Sequence, residues 1–183
     1  MIYLGIILGV VVLWLIVVYN SFVKKKMRVK EAWADIEVQL KRRYNLIPNL
    51  VETVKGYATH EKETLTKVIE ARTKAMSVSG GKEKIAAENY LSQTLKTLFA
   101  VAENYPQLKA NQNFLELQKE LIDTEDKIQA ARRFYNANVR DYNIALKVFP
   151  KNIIAAVFHL TPEPLFEITT EEERKTPKVS FGS

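Results

Sequence analysis

The two histidines of this chain and the carboxylates near them are the residues that could bind a metal ion. His60 precedes Glu61, as in the zinc-protease motif His-Glu-x-x-His, but Thr64 stands where that motif needs its second histidine. A di-iron site in a helical bundle needs a glutamate three residues before a histidine, and neither His60 nor His159 has one. Cysteine is absent, which excludes thiolate ligands, disulfides and a cysteine nucleophile. We therefore expect no metal and no cofactor.

Motifs for other chemistry are also missing. The sequence contains neither a glycine-rich phosphate loop nor a Gly-x-Ser-x-Gly elbow. Polar side chains near the helical seams could line a pocket, but such residues more often pair with one another and set the register of the helices; they are Glu88, Asn89, Arg132 and Asn138. We expect no catalytic residues and no enzymatic activity.

The first 23 residues carry no charged side chain. A run of this length is enough to cross a hydrocarbon core about 30 Å thick. A cleaved signal peptide would show basic residues before the run and a small-x-small site after it, and both are missing. We predict a transmembrane helix over residues 1–23. Within it, Gly5 and Gly9 form Gly-x-x-x-Gly, a spacing that lets membrane helices pack closely, although glycine is common in such helices anyway.

Basic residues follow the apolar run directly. Of the formal net charge of +6, most lies in residues 24–43, which hold eight basic and three acidic side chains. Basic residues beside a membrane segment contact anionic lipid headgroups, so we predict lipid contact and no nucleic-acid binding. The residues predicted to contact the membrane surface are Lys24, Lys25, Lys26, Arg28 and Lys30. The positive-inside rule then predicts a single-pass protein of the cell membrane with its N-terminus outside and the rest in the cytoplasm.

The remaining chain has the three- and four-residue apolar spacing of amphipathic helices. Predicted helices cover residues 24–58, 60–77, 82–104 and 111–149, and a short one covers 151–159. We expect Pro48 to kink the first helix without breaking it. Thr59 and Asn111 are candidate N-caps, and Ser77–Gly81 is the clearest turn.

The break near Ala58 decides the topology. If it is real, four helices run up, down, up and down, and the chain returns to the membrane at Phe149; if residues 29–76 form one helix, only three helices remain. Short loops favour antiparallel neighbours, so we favour four. The predicted fold is all-α, with one transmembrane helix followed over residues 24–160 by an antiparallel up-down four-helix bundle whose first and last helices are long.

The apolar segment Asn152–Leu160 is too short to span a membrane. In the four-helix arrangement it lies near the headgroups, where its apolar side chains would dock on lipid or on a neighbouring subunit; the alternative is that it folds back onto the bundle. Those side chains are Ile153, Ile154, Val157 and Phe158. Residues 161–183 contain three prolines and the acidic run Glu171–Glu173, and we predict an extended, partly mobile tail. Residues 165–169 and 178–181 are candidates for short strands.

Several blocks of the sequence resemble the LemA family. They are QLKRRYNLIPNLVETVKGYATHE from Gln39, AVAENYPQLKANQNFLELQKEL from Ala100, TEDKIQAARRFYNANVRDYN from Thr124, FP at Phe149 and PKV at Pro177. The resemblance implies a bacterial membrane-anchored protein with an antiparallel helical bundle. It implies no activity and no catalytic residues.

Two hypotheses of different classes follow. The first is a non-enzymatic scaffold, in which several copies assemble side by side on the inner face of the membrane. The second is a membrane-tethered sensor or an adaptor for another membrane protein, which would use the polar seam or the tail. The first is favoured because the distinctive features of the sequence concern surfaces and not chemistry.

Overall fold

The computed structural model describes residues 1–166, and each regular element in that range is an α-helix. The helices are α1 (Ile2–Lys55), α2 (Lys62–Ser77), α3 (Gly81–Ala102), α4 (Pro106–Lys109), α5 (Gln112–Lys147) and α6 (Lys151–Val157). The prediction of an all-helical chain that begins with an apolar helix is confirmed.

Helix α1 is continuous over 54 residues, a length of about 80 Å. It joins the predicted transmembrane helix to the predicted first bundle helix, and it continues through Pro48. Within residues 1–166, it is the one helix that is long and apolar enough to cross a membrane. Six residues separate its end at Lys55 from the start of α2 at Lys62, so residues 29–76 are not one helix.

The chain forms two compact units, which we describe separately. Unit 1 contains Met1–Arg43 and Glu120–Leu165; unit 2 contains Tyr44–Lys119 and, of the described residues after unit 1, Phe166. Helices α1 and α5 contribute residues to both units.

Unit 1 is built where residues 29–43 of α1 lie along α5. The Trp33 ring packs edge-on against the Tyr135 ring, with centroids 5.3 Å apart. Farther along α1, Arg42 forms an ion pair of 3.2 Å with Asp123 on α5. Rising residue numbers on α1 therefore pair with falling numbers on α5. The core between them is apolar and includes Val29, Ala32, Ile36, Leu40, Leu121, Ile128, Val139 and Tyr142.

Unit 2 is built around the hairpin of α2 and α3, which pack against each other. The turn between them is at the predicted place, and Gly81 has a φ of 71°, a left-handed conformation that a residue with a side chain rarely adopts. Asn111 is confirmed as an N-cap, because its Oδ1 accepts the Phe114 N–H at 3.0 Å. The predicted cap at Thr59 is wrong: the N-cap position of α2 is two residues later, at Glu61.

A buried polar cluster joins α1 to α3 inside unit 2. Lys84 and Glu88 are one helical turn apart on α3, and the Lys84 Nζ lies 3.0 Å from the Glu88 carboxylate. The Tyr44 hydroxyl donates to that carboxylate and accepts from Lys84 at 3.0 Å. Lys84 also donates to the Ala75 carbonyl at 2.7 Å. Each of these polar groups therefore has a partner in the cluster that compensates for the free-energy cost of its burial.

The segment after α6 is extended and is held along α5. The Asn143 side chain makes two hydrogen bonds with the backbone of Glu163, one to its carbonyl at 2.8 Å and one from its N–H at 3.0 Å. The Tyr135 hydroxyl donates to the Pro164 carbonyl at 2.9 Å. The predicted extended tail thus begins with a fixed stretch over residues 161–166, without a strand there. Its candidate strands beyond Phe166, and its acidic run, lie outside the described residues.

We predict that Glu88→Ala lowers the unfolding free energy by about 3–5 kcal/mol, because it leaves the Lys84 ammonium group buried without its carboxylate. The measurement is urea unfolding of the full chain in mild detergent. The matched control is Glu63→Ala, which removes an exposed ion pair of the same residue types and the same four-residue spacing, Glu63–Lys67. The control should leave stability almost unchanged. Equal effects of the two variants would contradict the structural role assigned to the cluster.

We also predict a loss of stability at high pH that depends on Tyr135. Burial, together with the nearby Glu163 carboxylate, raises the pKa of the Tyr135 phenol to about 12. The unfolded phenol titrates near pH 10, so the stabilisation from this group is complete below pH 10 and falls as the pH rises towards 12. Tyr135→Phe should cost about 1 kcal/mol at pH 8 through the lost hydrogen bond.

The same variant should lose less stability than the wild type between pH 10 and 12, as urea unfolding at several pH values would show. Tyr90→Phe, at an exposed tyrosine of α3, is the control. Parallel pH profiles for the wild type and Tyr135→Phe would show that this phenol is not the group responsible.

Candidate membrane-proximal surface

The apolar part of α1 becomes covered by protein before it ends. All residues from Met1 to Val17 are exposed, but Val18 and Phe22 retain only 4% and 2% of their accessible surface. A side chain on an isolated helix cannot be buried to this extent, so another segment of unit 1 lies against this face. The folded part of unit 1 therefore reaches the last turns of the predicted transmembrane helix.

The contact between Tyr19 and Phe158 identifies that segment. Their rings are 4.7 Å apart between centroids and are tilted by 46°. Phe158 directly follows α6, so the end of α6 lies beside the last turns of the apolar run. Aromatic rings such as that of Tyr19 are typical of the membrane–water boundary.

Helix α6 has one covered side and one open side. Ile154 and Ala155 are each only 4% exposed and belong to the core of unit 1. Ile154 was predicted to dock on lipid or on a subunit, but its burial removes it from the exposed surface. The open side continues the end of α5 and consists of apolar side chains that are half exposed or more: Val148, Phe149, Ile153, Val157 and Phe158. We call these five residues the membrane-end patch.

Backbone hydrogen bonds set the direction of the chain after α6. The His159 N–H donates to the Ala156 carbonyl at 3.1 Å, and the Leu160 N–H donates to the Ala155 carbonyl at 2.9 Å. This is a Schellman cap, and His159 takes the left-handed conformation that it requires, with a φ of 50°. The cap satisfies two carbonyls at the end of a short helix and turns the chain towards Glu163.

The five basic residues predicted to contact headgroups lie on the two turns of α1 that follow. Lys24, Arg28 and Lys30 are exposed, and Lys25 and Lys26 are half-buried. Lys26 is also 4.0 Å from the Glu163 carboxylate, which ties this part of α1 to the segment after α6. A groove of about 440 Å³ runs along one side and is lined by Val17, Asn20, Ser21, Lys24, Lys25 and Arg28.

This arrangement has the chemistry of a membrane interface. Apolar side chains of the membrane-end patch and cationic side chains of α1 occur within a few turns of each other, as in helices that lie at the boundary between acyl chains and anionic headgroups. Contact with lipid through such a surface requires no reactive side chain.

Gly5 and Gly9 lie on the exposed apolar part of α1. A methyl group added to either glycine would meet no atom of this chain within 4 Å. The close approach that glycine permits is therefore not used within the chain described here.

All four polar seam residues interact with other groups of the chain. Glu88 is fully buried in its ion pair, and Asn138 donates to the Phe134 carbonyl of its own helix at 2.9 Å. Asn89 and Arg132 are half-buried and make polar contacts. Across residues 1–166, no three side chains of the metal-binding types come together as a candidate metal site.

Two buried cations were missed by reasoning from the sequence. Arg43 is fully buried and pairs with Glu125, although it was counted in the basic block beside the membrane. Lys84 was assigned no role. The signal for both was position: Arg43 follows Leu40 by three residues on an apolar face, and Lys84 precedes a carboxylate by four residues on another.

Comparison with known proteins identifies the family. The family model described as LemA family matches residues 32–181. Protein LemA of Metamycoplasma hominis is 25% identical over 154 residues, which are 84% of this chain and 70% of that protein. Magnetosome protein MamQ 2 of Paramagnetospirillum magneticum is 26% identical over 165 residues, covering 76% of this chain. Magnetosome protein MamQ of Magnetospirillum gryphiswaldense is 23% identical over the same number of residues.

The chain spans 61% of the length of the MamQ relatives that it matches. The matched family region begins after the predicted transmembrane helix and includes residues of both units of the fold. Because this region makes up most of the chain, the protein belongs to the LemA family.

Proposed function

We propose that this protein is a non-enzymatic scaffold, anchored in a bacterial cell membrane by the first part of α1 and assembled from several copies. The N-terminus lies outside, and the helical units form an antiparallel four-helix bundle on the cytoplasmic side. Lipids and further copies of the chain are its partners, and other membrane proteins could join them. The orientation follows from the basic residues after the apolar run.

The observation that carries this proposal is the contact between Tyr19 and Phe158, together with the burial of Val18 and Phe22. A flexible linker between an anchor and a soluble domain would let that domain move away from the bilayer. Here α1 continues without a break from the span into the core, and α6 packs on its last apolar turns. The part of unit 1 that follows the span is therefore held at a fixed height above the membrane, which suits a structural component.

The chemistry of the described residues supports a role without catalysis. The buried charged side chains of Lys84, Glu88 and Arg43 pair within the chain, as members of a structural core do. The open surface near the membrane is apolar and basic, which favours contact with lipid or with another subunit. The MamQ relatives, named as magnetosome proteins, also favour association with a membrane.

We predict that the full-length protein is oligomeric in native nanodiscs, as measured by mass. The double substitution Gly5→Ile with Gly9→Ile should reduce the oligomeric fraction, because bulky side chains prevent close approach of two helices. A Cβ atom at either position meets no atom of residues 1–166 within 4 Å, and both positions are exposed. Val11→Phe, on the opposite side of α1, is the control and should leave the mass unchanged.

A monomeric wild-type protein, in nanodiscs and after cross-linking in membranes, would overturn the scaffold proposal. The adaptor would then be the better account, with the membrane-proximal surface facing a different membrane protein.

A further inference from the structure

Helix α1 has a second apolar face outside the membrane, and residues 1–166 leave it uncovered. Val23, Met27 and Val38 are 43%, 48% and 64% exposed, and Ala34 is exposed as well. Successive members are four, seven and four residues apart, so all four lie on one side of the helix. We call them the outward stripe.

The outward stripe lies opposite the face that packs into unit 1. Val29, Ile36 and Leu40 are at most 4% exposed. Each follows a member of the stripe by two residues, which is a rotation of about 200° around a helix. The core of unit 1 therefore does not cover the stripe, whose apolar side chains are available to a partner.

The stripe continues the glycine pair of the membrane segment. Gly5 and Gly9 precede Val23 and Met27 by 18 residues, which is about five helical turns. Since α1 is uninterrupted, both glycines lie on the same side as the stripe. The glycine pair and the outward stripe therefore share one side of α1.

Charged residues at the two edges of the stripe complement each other. Lys30 lies at one edge and Asp35 at the other; both are exposed, and neither has an ion-pair partner among residues 1–166. In a parallel pair of helices, an edge residue of one helix meets the residue five positions later on the opposite edge of its partner. Lys30 and Asp35 have this spacing.

We propose that the outward stripe is the docking site for a second copy of this chain, with the two α1 helices parallel. Insertion of each copy in the same orientation makes them parallel, and the edge charges then match by two-fold symmetry. Lipid does not suit the whole stripe, because Val38 lies about 22 Å along the helix from Val23, beyond the headgroups. This inference rests on the proposed scaffold and adds the face through which the copies meet.

Single cysteines test the docking site, because the wild-type chain contains none. Ala34→Cys and Val38→Cys, each in the full-length protein in native membranes, should form disulfide-linked dimers on mild oxidation. Ala137→Cys, at an exposed position of α5, is the control and should stay monomeric. All three positions are exposed, so the substitutions should leave the fold intact.

A charge exchange tests the direction of the pairing. Lys30→Asp should reduce the yield of the Val38→Cys dimer, and adding Asp35→Lys to the same chain should restore it. Failure of both cysteines on the stripe to cross-link, in a protein that is oligomeric by mass, would overturn the docking site and leave the scaffold in place. Equal cross-linking of Ala137→Cys, or no restoration by the exchange, would also overturn it. A monomeric wild-type protein would remove the scaffold proposal as well.

Discussion

The structure depends on the packing of α6 against the last apolar turns of α1. Because Val18 and Phe22 are buried there and Tyr19 contacts Phe158, one stretch of helix serves both as the end of the span and as part of the core. The side chains of such a stretch must suit contact with lipid on one side and with protein on the other. Separation of α6 from α1 would expose these apolar side chains to water, at a cost of about 25 cal/mol per Å².

Buried polar contacts fix the register of the helices, which apolar packing alone leaves adjustable. An apolar stripe can slide by a turn with little loss, whereas a buried charge has few positions at which it is satisfied. Arg43 with Glu125 in unit 1, and Lys84 with Glu88 in unit 2, define the register of their helices in this way. At the membrane end, Asn143 does the same for the extended segment through its two bonds to Glu163.

The helices were predictable because each depends on local spacing and local stop signals. The apolar steps of three and four, the glycines before α3 and the cap at Asn111 are properties of short segments, and the structure has them as predicted.

The missed features depend on distant partners. Whether Arg43 faces water or core is decided by a carboxylate 82 residues away, and Ile154 is buried because of how α6 packs in unit 1. The short helix α4 was not among the predicted helices, although it begins at Pro106 and proline is favoured in the first turn of a helix.

The depth of α6 relative to the bilayer tests the central claim most directly. Nitroxide labels on Val157→Cys and Ile153→Cys, in full-length protein in liposomes with anionic lipid, can be compared with a label on Ala130→Cys, an exposed position of α5. The account predicts that oxygen, which is concentrated in lipid, relaxes the two α6 labels more than a water-soluble nickel reagent does, and that the α5 label shows the reverse. If the α6 labels are as accessible to the nickel reagent as the α5 label, α6 lies in water and unit 1 is not held at the membrane surface.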